Sequence, residues 1–341
     1  MLSKALLMIN TIKYLRFIQI FNRVKRRLIK FSPNLSGSSL IILPKTRPCL
    51  FIESQEKMLN DNEFKFLNVI SSVQKKEDWN SNKHEKLWLY NLHYFDDLNS
   101  INSHKRLNWH KSLIQNWIDN NPPSFGNGWE AYPSSLRIVN WIKWILSGNN
   151  FEKEWLDSLT IQLRYLSINL EKHLLGNHLF CNGKALLFGG LIFQGNEANT
   201  WYKIGLNILE NELPEQVLKD GGNFELSPMY HGIFLEDLLD IVNIHQSYNK
   251  KLPSKVNSSI LNMIDWLKTM THPDGNISFF NDATYGVSAS LADLVNYALI
   301  LNIELKTKAV QNLTYLKSSG YARVEKNDFI SIIDLANIGP D

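Results

Sequence analysis

The sequence predicts a mainly α fold of antiparallel helix pairs, arranged as an incomplete toroid or solenoid, with a β-rich segment at its end. Three observations carry this. Apolar residues recur at helical spacing from about residue 59 to 305, with only short Gly, Pro and Asn breaks. Ala185 to Phe193 is apolar on every side, as an inner helix surrounded by others must be. After Lys317 the pattern changes to the alternation and β-branched clusters of strands, in Gly320–Val324 and Phe329–Leu335. Two strands alone do not make a stable sheet, so these either pair with an earlier hairpin or open a further β domain; the second is the expectation.

Composition agrees with a folded chain of this kind. The 341 residues are 44% hydrophobic and 20% charged, which supports a large core and excludes disorder. Cys49 and Cys181 allow at most one bridge, excluding a disulfide framework and an all-cysteine zinc site. Ten Trp residues fit either a helix-rich core or a sugar-stacking cleft. The net charge of +3 is uneven: residues 1–30 hold eight basic residues and no acidic one, leaving 28 basic against 33 acidic elsewhere, a net of −5. Such a body gives no case for nucleic-acid binding. No apolar run reaches the ~18 residues of a membrane span.

Taken in order, Met1–Asn10 contains a short apolar stretch, Ala5–Ile9, below the ~7–15 residues of a secretory core. Leu15, Ile18, Ile20, Phe21, Val24 and Leu28 then alternate with basic residues at helical spacing. This predicts a basic helix packed on the body, with a membrane-surface helix or an atypical export signal as alternatives. Leu40–Leu43 and Cys49–Ile52, separated by Pro44 and Pro48, predict a hairpin-like pair of short strands. Helices follow over Leu136–Leu146, Trp155–Leu170, Ala185–Phe193, Trp201–Leu209, Phe234–Ile244, Ile260–Met270 and Leu291–Ile300. The expected division is residues 1–57, a helical body over 58–316 and first strands over 317–341.

Three segments concentrate polar groups at helix ends. In residues 125–133 (FGNGWEAYP), glycines bend the chain before a helix. Glu130 there is either a first-turn carboxylate favoured by the helix dipole or, with Trp129 stacking, part of a sugar platform. In residues 175–183 (LGNHLFCNG), Asn177 and His178 fall in a turn at the mouth of the inner helix. An amide there satisfies turn backbone or donates two hydrogen bonds to a carboxylate. In residues 220–232 (DGGNFELSPMYHG), two glycines and a proline frame a loop delivering Tyr230 and His231. Tyr230 is either a half-buried aromatic or a base; as a base it needs positive charge to hold the phenolate, from His231, His178 or Arg137. A fourth segment holds Asp274, Asn276, Asn281 and Asp282, whose spacing matches no calcium loop, so no metal is expected. Trp88–Asp96 is an aromatic strip that reads as core. Nucleotide-binding loops, a Gly-x-Ser-x-Gly elbow and a His-Glu-x-x-His motif are missing, which disfavours phosphoryl transfer, hydride transfer and zinc hydrolysis.

Taken together, Tyr90–Leu98, Asn121–Trp144, Gly176–Leu187, Asp220–Asp237 and His272–Asp282 resemble the heparinase II/III family of polysaccharide lyases. The resemblance runs from about residue 10 to the C-terminus and is strongest to members found near bacterial surface-polysaccharide genes. It implies an incomplete α/α toroid with the start of a C-terminal antiparallel β-sandwich, and the active site between the two. It implies cleavage of an acidic, uronate-containing polysaccharide by β-elimination without a cofactor. Asn177 would neutralise the uronate carboxylate and Tyr230 would abstract the proton and protonate the leaving group, with His178 and His231 assisting. Trp129, Glu130, Arg137, Asn223 and Glu225 are the candidate substrate-binding residues. The resemblance further implies a periplasmic or envelope location, with the cytoplasm as the alternative. Relatives carry His and Arg where this chain has Asn223 and Leu226, and a further histidine beyond Gly339-Pro340-Asp341. Outside the family, a glycoside hydrolase using Glu130, Glu225 or Asp220 and a non-catalytic glycan-binding factor are the competing readings.

Overall fold

The structure, a computed structural model, describes residues 13–29, 32–38, 40–305, 312–327 and 329–336. The apolar stretch of Met1–Asn10 and the terminal Gly339-Pro340-Asp341 lie outside the described residues. The described chain is mainly helical and ends in a small antiparallel sheet. Its helices are α1 (Phe17–Leu28), α2 (Lys86–Tyr94), α3 (Leu107–Asn120), α4 (Ala131–Leu146), α5 (Lys153–Ile168), α6 (Gly176–Ile192), α7 (Asn196–Gln216), α8 (Pro228–Ser247), α9 (Lys255–Thr269) and α10 (Leu291–Ile300). The strands are β1 (Glu63–Phe66), β2 (Val69–Ser72), β3 (Leu313–Leu316), β4 (Tyr321–Lys326) and β5 (Phe329–Asp334).

The inner helix is α6. It packs against α4, α5, α7 and α8, and Ala185, Leu186, Leu187 and Phe188 are fully buried. An all-round apolar surface forces this, since any exposed face would leave such side chains in water at roughly 1.5–3 kcal/mol each. Helix α7 returns along α6 at close range because Gly183 and Gly205 face each other. A Cβ on Gly205 would lie 2.7 Å from the Gly183 carbonyl oxygen and 2.9 Å from the Leu187 nitrogen. In α5, the stripe of Trp155, Leu159, Leu163 and Leu166 is buried as its spacing predicts. Nine of the ten tryptophans are buried, so the unusual Trp content belongs to the core.

One buried charged cluster ties helices of this core together. The Asp240 carboxylate of α8 sits 2.6 Å from both Lys143 of α4 and Lys184 of α6, and Lys184 reaches Asp237 at 2.5 Å. Tyr297 of α10 donates to Asp240 at 3.1 Å and accepts from Asn243 at 2.8 Å. Four helices are thus joined by one hydrogen-bonded ion group.

Three local expectations are corrected. Leu40–Leu43 and Cys49–Ile52 do not pair with each other. Ile41 forms an isolated bridge with Phe193, and Cys49 bonds the Asn243 side chain through both backbone groups. Their partners are helix ends, and Pro44 and Pro48 deprive the connection of donors. The hairpin lies instead at β1–β2, where Leu67 (φ 51°) and Asn68 (φ 62°) make a two-residue turn with both φ positive. The basic helix α1 does not pack through its apolar stripe. Phe17, Phe21, Val24 and Leu28 are exposed, and Arg16, Gln19 and Arg26 make the contacts, to Glu215, Leu174 and His173. Finally, α6 starts at Gly176, so Asn177 and His178 belong to its first turn and not to a preceding loop. Among the described residues no helix is long and apolar enough to cross a membrane.

The terminal sheet has the order β3-β4-β5, with Leu316 opposite Tyr321 and Tyr321 opposite Asp334. The third strand, β3, precedes Lys317 and supplies the pairing that two strands would lack. The sheet is fixed to the loops at one end of the helices. Asp220 accepts from Ser318 and Ser319 backbone N–H at 2.7 Å each and from the Ser319 hydroxyl at 3.0 Å. Arg323 donates to the carbonyls of Thr269 and Thr271, and Tyr321 to that of Leu226.

Candidate active site

The first turns of α4, α6 and α8 and the loops at 217–227 and 271–289 assemble the candidate site. Leu175 (φ 64°) and Gly176 (φ 58°) turn the chain into α6. Gly176 lies against Phe224, which an added Cβ would meet at 3.6 Å, so the Asn223–Leu226 loop covers the start of α6. Asn177 is half-buried. Its carbonyl oxygen accepts from the Cys181 thiol at 3.5 Å, and among the described residues its amide N–H groups donate to no protein atom. His178 stacks at 4.5 Å on Tyr132 and faces Glu171, with Nδ1 3.3 Å from the carboxylate. Glu171 is fixed in turn by the buried Asn182, whose amide donates to it at 3.1 Å and to Ser135 at 3.0 Å.

Ser227 caps α8 and accepts from the Tyr230 backbone N–H, with Pro228 opening the helix. This sets Tyr230 half-buried at the rim, its hydroxyl bonded to no group among the described residues. Burial pushes its phenol above the ordinary value, and the nearby carboxylates of Asp282 and Glu225 push it further. Burial likewise raises the Glu225 carboxyl, against the opposing effect of His178. The electrostatic contacts run from His178 to Glu225 and from there to Tyr230 and Asp282. Tyr230, Glu225, Asp282 and His178 thus form one electrostatic neighbourhood, with Asn177 preceding His178 in the chain.

Four other expected residues face inward. Trp129 is 3% exposed; its indole donates to the Asn121 carbonyl and packs on Trp117 and Tyr165, so it offers no face to a sugar. Arg137 is fully buried, stacked 3.8 Å over Trp117 and bonded to Gln162, Ser134 and the His93 carbonyl. It cannot reach Tyr230 or a substrate. His231 is also fully buried. It stacks at 4.4 Å on Trp266, its Nδ1 takes the Asn223 backbone N–H, and its Nε2 meets the Met263 carbonyl at 2.9 Å. Both ring nitrogens are committed, so His231 holds the loop to α9 and moves no proton. Asn223 is buried too, accepting from the Glu225 backbone N–H. Glu130 stays half-exposed but is engaged by Tyr90 and, at 3.0 Å, by Lys86.

Tyr90, Tyr94, Tyr132, Glu171, Cys181 and Asp282 belong to this neighbourhood without having been singled out as site residues. The i, i+4 spacing of Tyr90 and Tyr94 was a usable signal; the place of Asp282 was not visible. Asp274 bonds Asn276, whereas Asn281 bonds Leu226 and Tyr321, so the four turn residues considered for calcium do not converge. A cavity of about 530 Å³ lies at the opposite end of α4, lined by Phe51, Asn99, Ser147, Asp293 and Tyr297, and contains none of these groups.

The buried histidines have a consequence for acid stability. Burial holds both His93 and His231 down to about 3, far below the ~6.5 of an unfolded chain. The unfolded chain therefore binds more protons between these values, and stability is complete above about pH 6.5 and lost as pH falls toward 3. Urea midpoints measured from pH 7.5 to 4 should decline steadily, amounting to several kcal/mol. A flat profile would contradict the neutral, buried rings.

Comparison with known proteins places this geometry in context. Residues 56–303 match the family model described as Heparinase II/III N-terminus. A heparin-sulfate lyase of Pedobacter heparinus is 32% identical over 136 residues, covering 39% of this chain and 20% of the relative. One of Bacteroides stercoris is 32% identical over 111 residues, covering 32% of this chain and 17% of that protein. The crystal structure of heparinase III superposes with a TM-score of 0.57 at 20% identity, over 79% of this chain and 48% of that one. The heparan sulfate lyase HepC mutant from Pedobacter heparinus gives 0.56 at 16% identity, over 92% and 55%. These likenesses show a shared fold. The chain spans about a fifth of these two curated relatives and about half the length of the similar structures. With nearly all of the helical body, from β1 to α10, inside the matched segment, the chain belongs to the heparinase II/III family.

Proposed function

We propose that this protein is a polysaccharide lyase that cleaves an acidic, uronate-containing glycan by β-elimination. The single observation supporting it most is that Asn177 keeps free amide N–H donors and Tyr230 an unbonded phenol among the described residues, each in the first turn of one of two helices, α6 and α8, that pack together. The naming of the relatives as heparin-sulfate lyases supports the same class.

The chemistry is physically coherent. The proton beside a uronate carboxylate is weakly acidic because its removal places charge on that carboxylate. In this reading the Asn177 N–H groups meet the developing enolate-like oxygens and lower the barrier by several kcal/mol. Tyr230 removes the proton and then protonates the departing glycosidic oxygen. Since burial, Asp282 and Glu225 all favour the protonated phenol, it rests ready to donate, and abstraction requires a cation or donor to approach as substrate binds. His178, beside Glu225, is the group on this rim suited to that. The division into a helical body and a terminal β segment belongs to the same reading, the body carrying both residues; the expected boundary at 316/317 moves to before β3, whose Leu313–Leu316 already pair in the sheet.

Incubation with uronate glycans tests the proposal. A lyase leaves an unsaturated sugar with a new ultraviolet absorbance. New reducing ends without that absorbance would mean hydrolysis, and intact polymer a binding protein; either would overturn the reading. Hydrolysis is less well supported, because Asp220 is consumed by Ser318 and Ser319, and Glu130 by Tyr90 and Lys86.

A further inference from the structure

Since Trp129 is buried, the rim needs another surface for the apolar face of a sugar ring. The loop after α9 has one. Phe279 is 60% and Tyr285 57% exposed, and their rings lie 5.1 Å apart, tilted by 55°. Two large aromatic rings left side by side in solvent make a contiguous apolar surface of the kind that binding sites use.

The surroundings of the pair tie it to Tyr230. Between the two rings, Asn281 (φ 46°) and Asp282 (φ 57°) are consecutive non-glycine residues in the left-handed region. The Asn281 amide fixes this turn, donating to the Leu226 carbonyl at 3.2 Å and the Tyr321 hydroxyl at 2.8 Å. Phe280 points inward onto Tyr321, 5.2 Å between centroids, anchoring the loop while its neighbour Phe279 faces out. On the far side, Ser288 packs on Gly232, two residues beyond Tyr230, and an added Cβ there would meet it at 3.0 Å. Asp282, held in this turn, is close enough to influence both Tyr230 and Glu225.

We propose that Phe279 and Tyr285 form a stacking platform for a sugar ring of the glycan, next to the ring attacked at Tyr230. Aromatic faces carry negative quadrupole charge and favour the polarised C–H face of a sugar ring. The proposal rests on the lyase reading for the identity of the adjacent ring, not for the platform itself.

The test separates the two. Binding of heparan sulfate, hyaluronan and alginate oligosaccharides is measured calorimetrically with the Tyr230→Phe protein, and cleavage is measured separately with Tyr230 intact. Phe279→Ala and Tyr285→Ala, each on the Tyr230→Phe background, should weaken binding of the preferred oligosaccharide about tenfold. In cleavage they should raise KM by a similar factor with kcat nearly unchanged, as expected for contacts made equally in ground and transition states. Phe279→Trp should retain affinity. Because both side chains are exposed, thermal stability should not move. Unchanged affinity in both alanine variants, or no oligosaccharide binding by the Tyr230→Phe protein, would overturn the platform. So would a change confined to oligomeric state. Absence of the unsaturated product with Tyr230 intact, alongside platform-dependent binding, would overturn the lyase reading and leave the platform standing.

Discussion

Tyr230→Phe should lower turnover on a uronate glycan by about 10²–10⁴-fold, the range a positioned acid–base group supplies. The fold should be untouched. The hydroxyl bonds no group among the described residues, so its removal leaves no partner unsatisfied, and the ring keeps its packing against the core. A urea midpoint equal to wild type would confirm that the loss is chemical. The pH dependence adds a second reading. Asp282 contributes to the high phenol value, so Asp282→Asn should move the limb on which the rate rises with pH toward lower pH. Turnover within threefold of wild type in Tyr230→Phe would remove this residue from the mechanism.

Asp240→Ala should cost about 3–5 kcal/mol of stability, the usual result of breaking a buried ion group by deleting one partner. It would leave Lys143 and Lys184 facing each other with Asp237 and Glu236 as the remaining carboxylates, and Tyr297 without an acceptor. Burial works to raise the Asp240 carboxyl, and the two lysines overcome it, leaving it below the ordinary value. The sign follows: this stabilisation is present above the ~3.9 of an unfolded aspartate and is lost as pH falls through the folded value. Chemical denaturation at pH 7 checks the magnitude. The double variant Lys143→Met/Asp240→Leu should recover part of the loss, because it removes charge from both sides. A midpoint change below about 1 kcal/mol would mean that the cluster is hydrated and contributes little.

Both residues illustrate how legible the chain is. The helices could be located because their signal is periodic and local. The stripe Trp155, Leu159, Leu163 and Leu166 reads the same in sequence and in structure. Even so, α6 begins at Gly176, nine residues before the fully apolar stretch that opens at Ala185. The hairpin β1–β2 was lost inside a helical reading because four-residue strands give too little alternation to stand out. At the rim, the polar segments around Asn177 and Tyr230 were visible as turns framed by Gly and Pro. Their neighbours were not. Trp129 and Tyr132 stand three residues apart in FGNGWEAY, yet the first enters the core and the second packs on His178.

The sequence alone determined the class of fold, the inner position of α6 and the segments from which a site would be built. Spacing and apolar content act over a few residues, and they leave few ways to bury a surface. Tertiary structure decided which polar groups remain available. His231 is enclosed by Trp266, 35 residues later in the chain, and Arg137 by Trp117 and His93 from two earlier helices. Asp282 acts on Tyr230 electrostatically from a separate loop. Whether a side chain titrates, stacks or binds depends on what distant chain is packed against it, and that is fixed only when the helices close around one another.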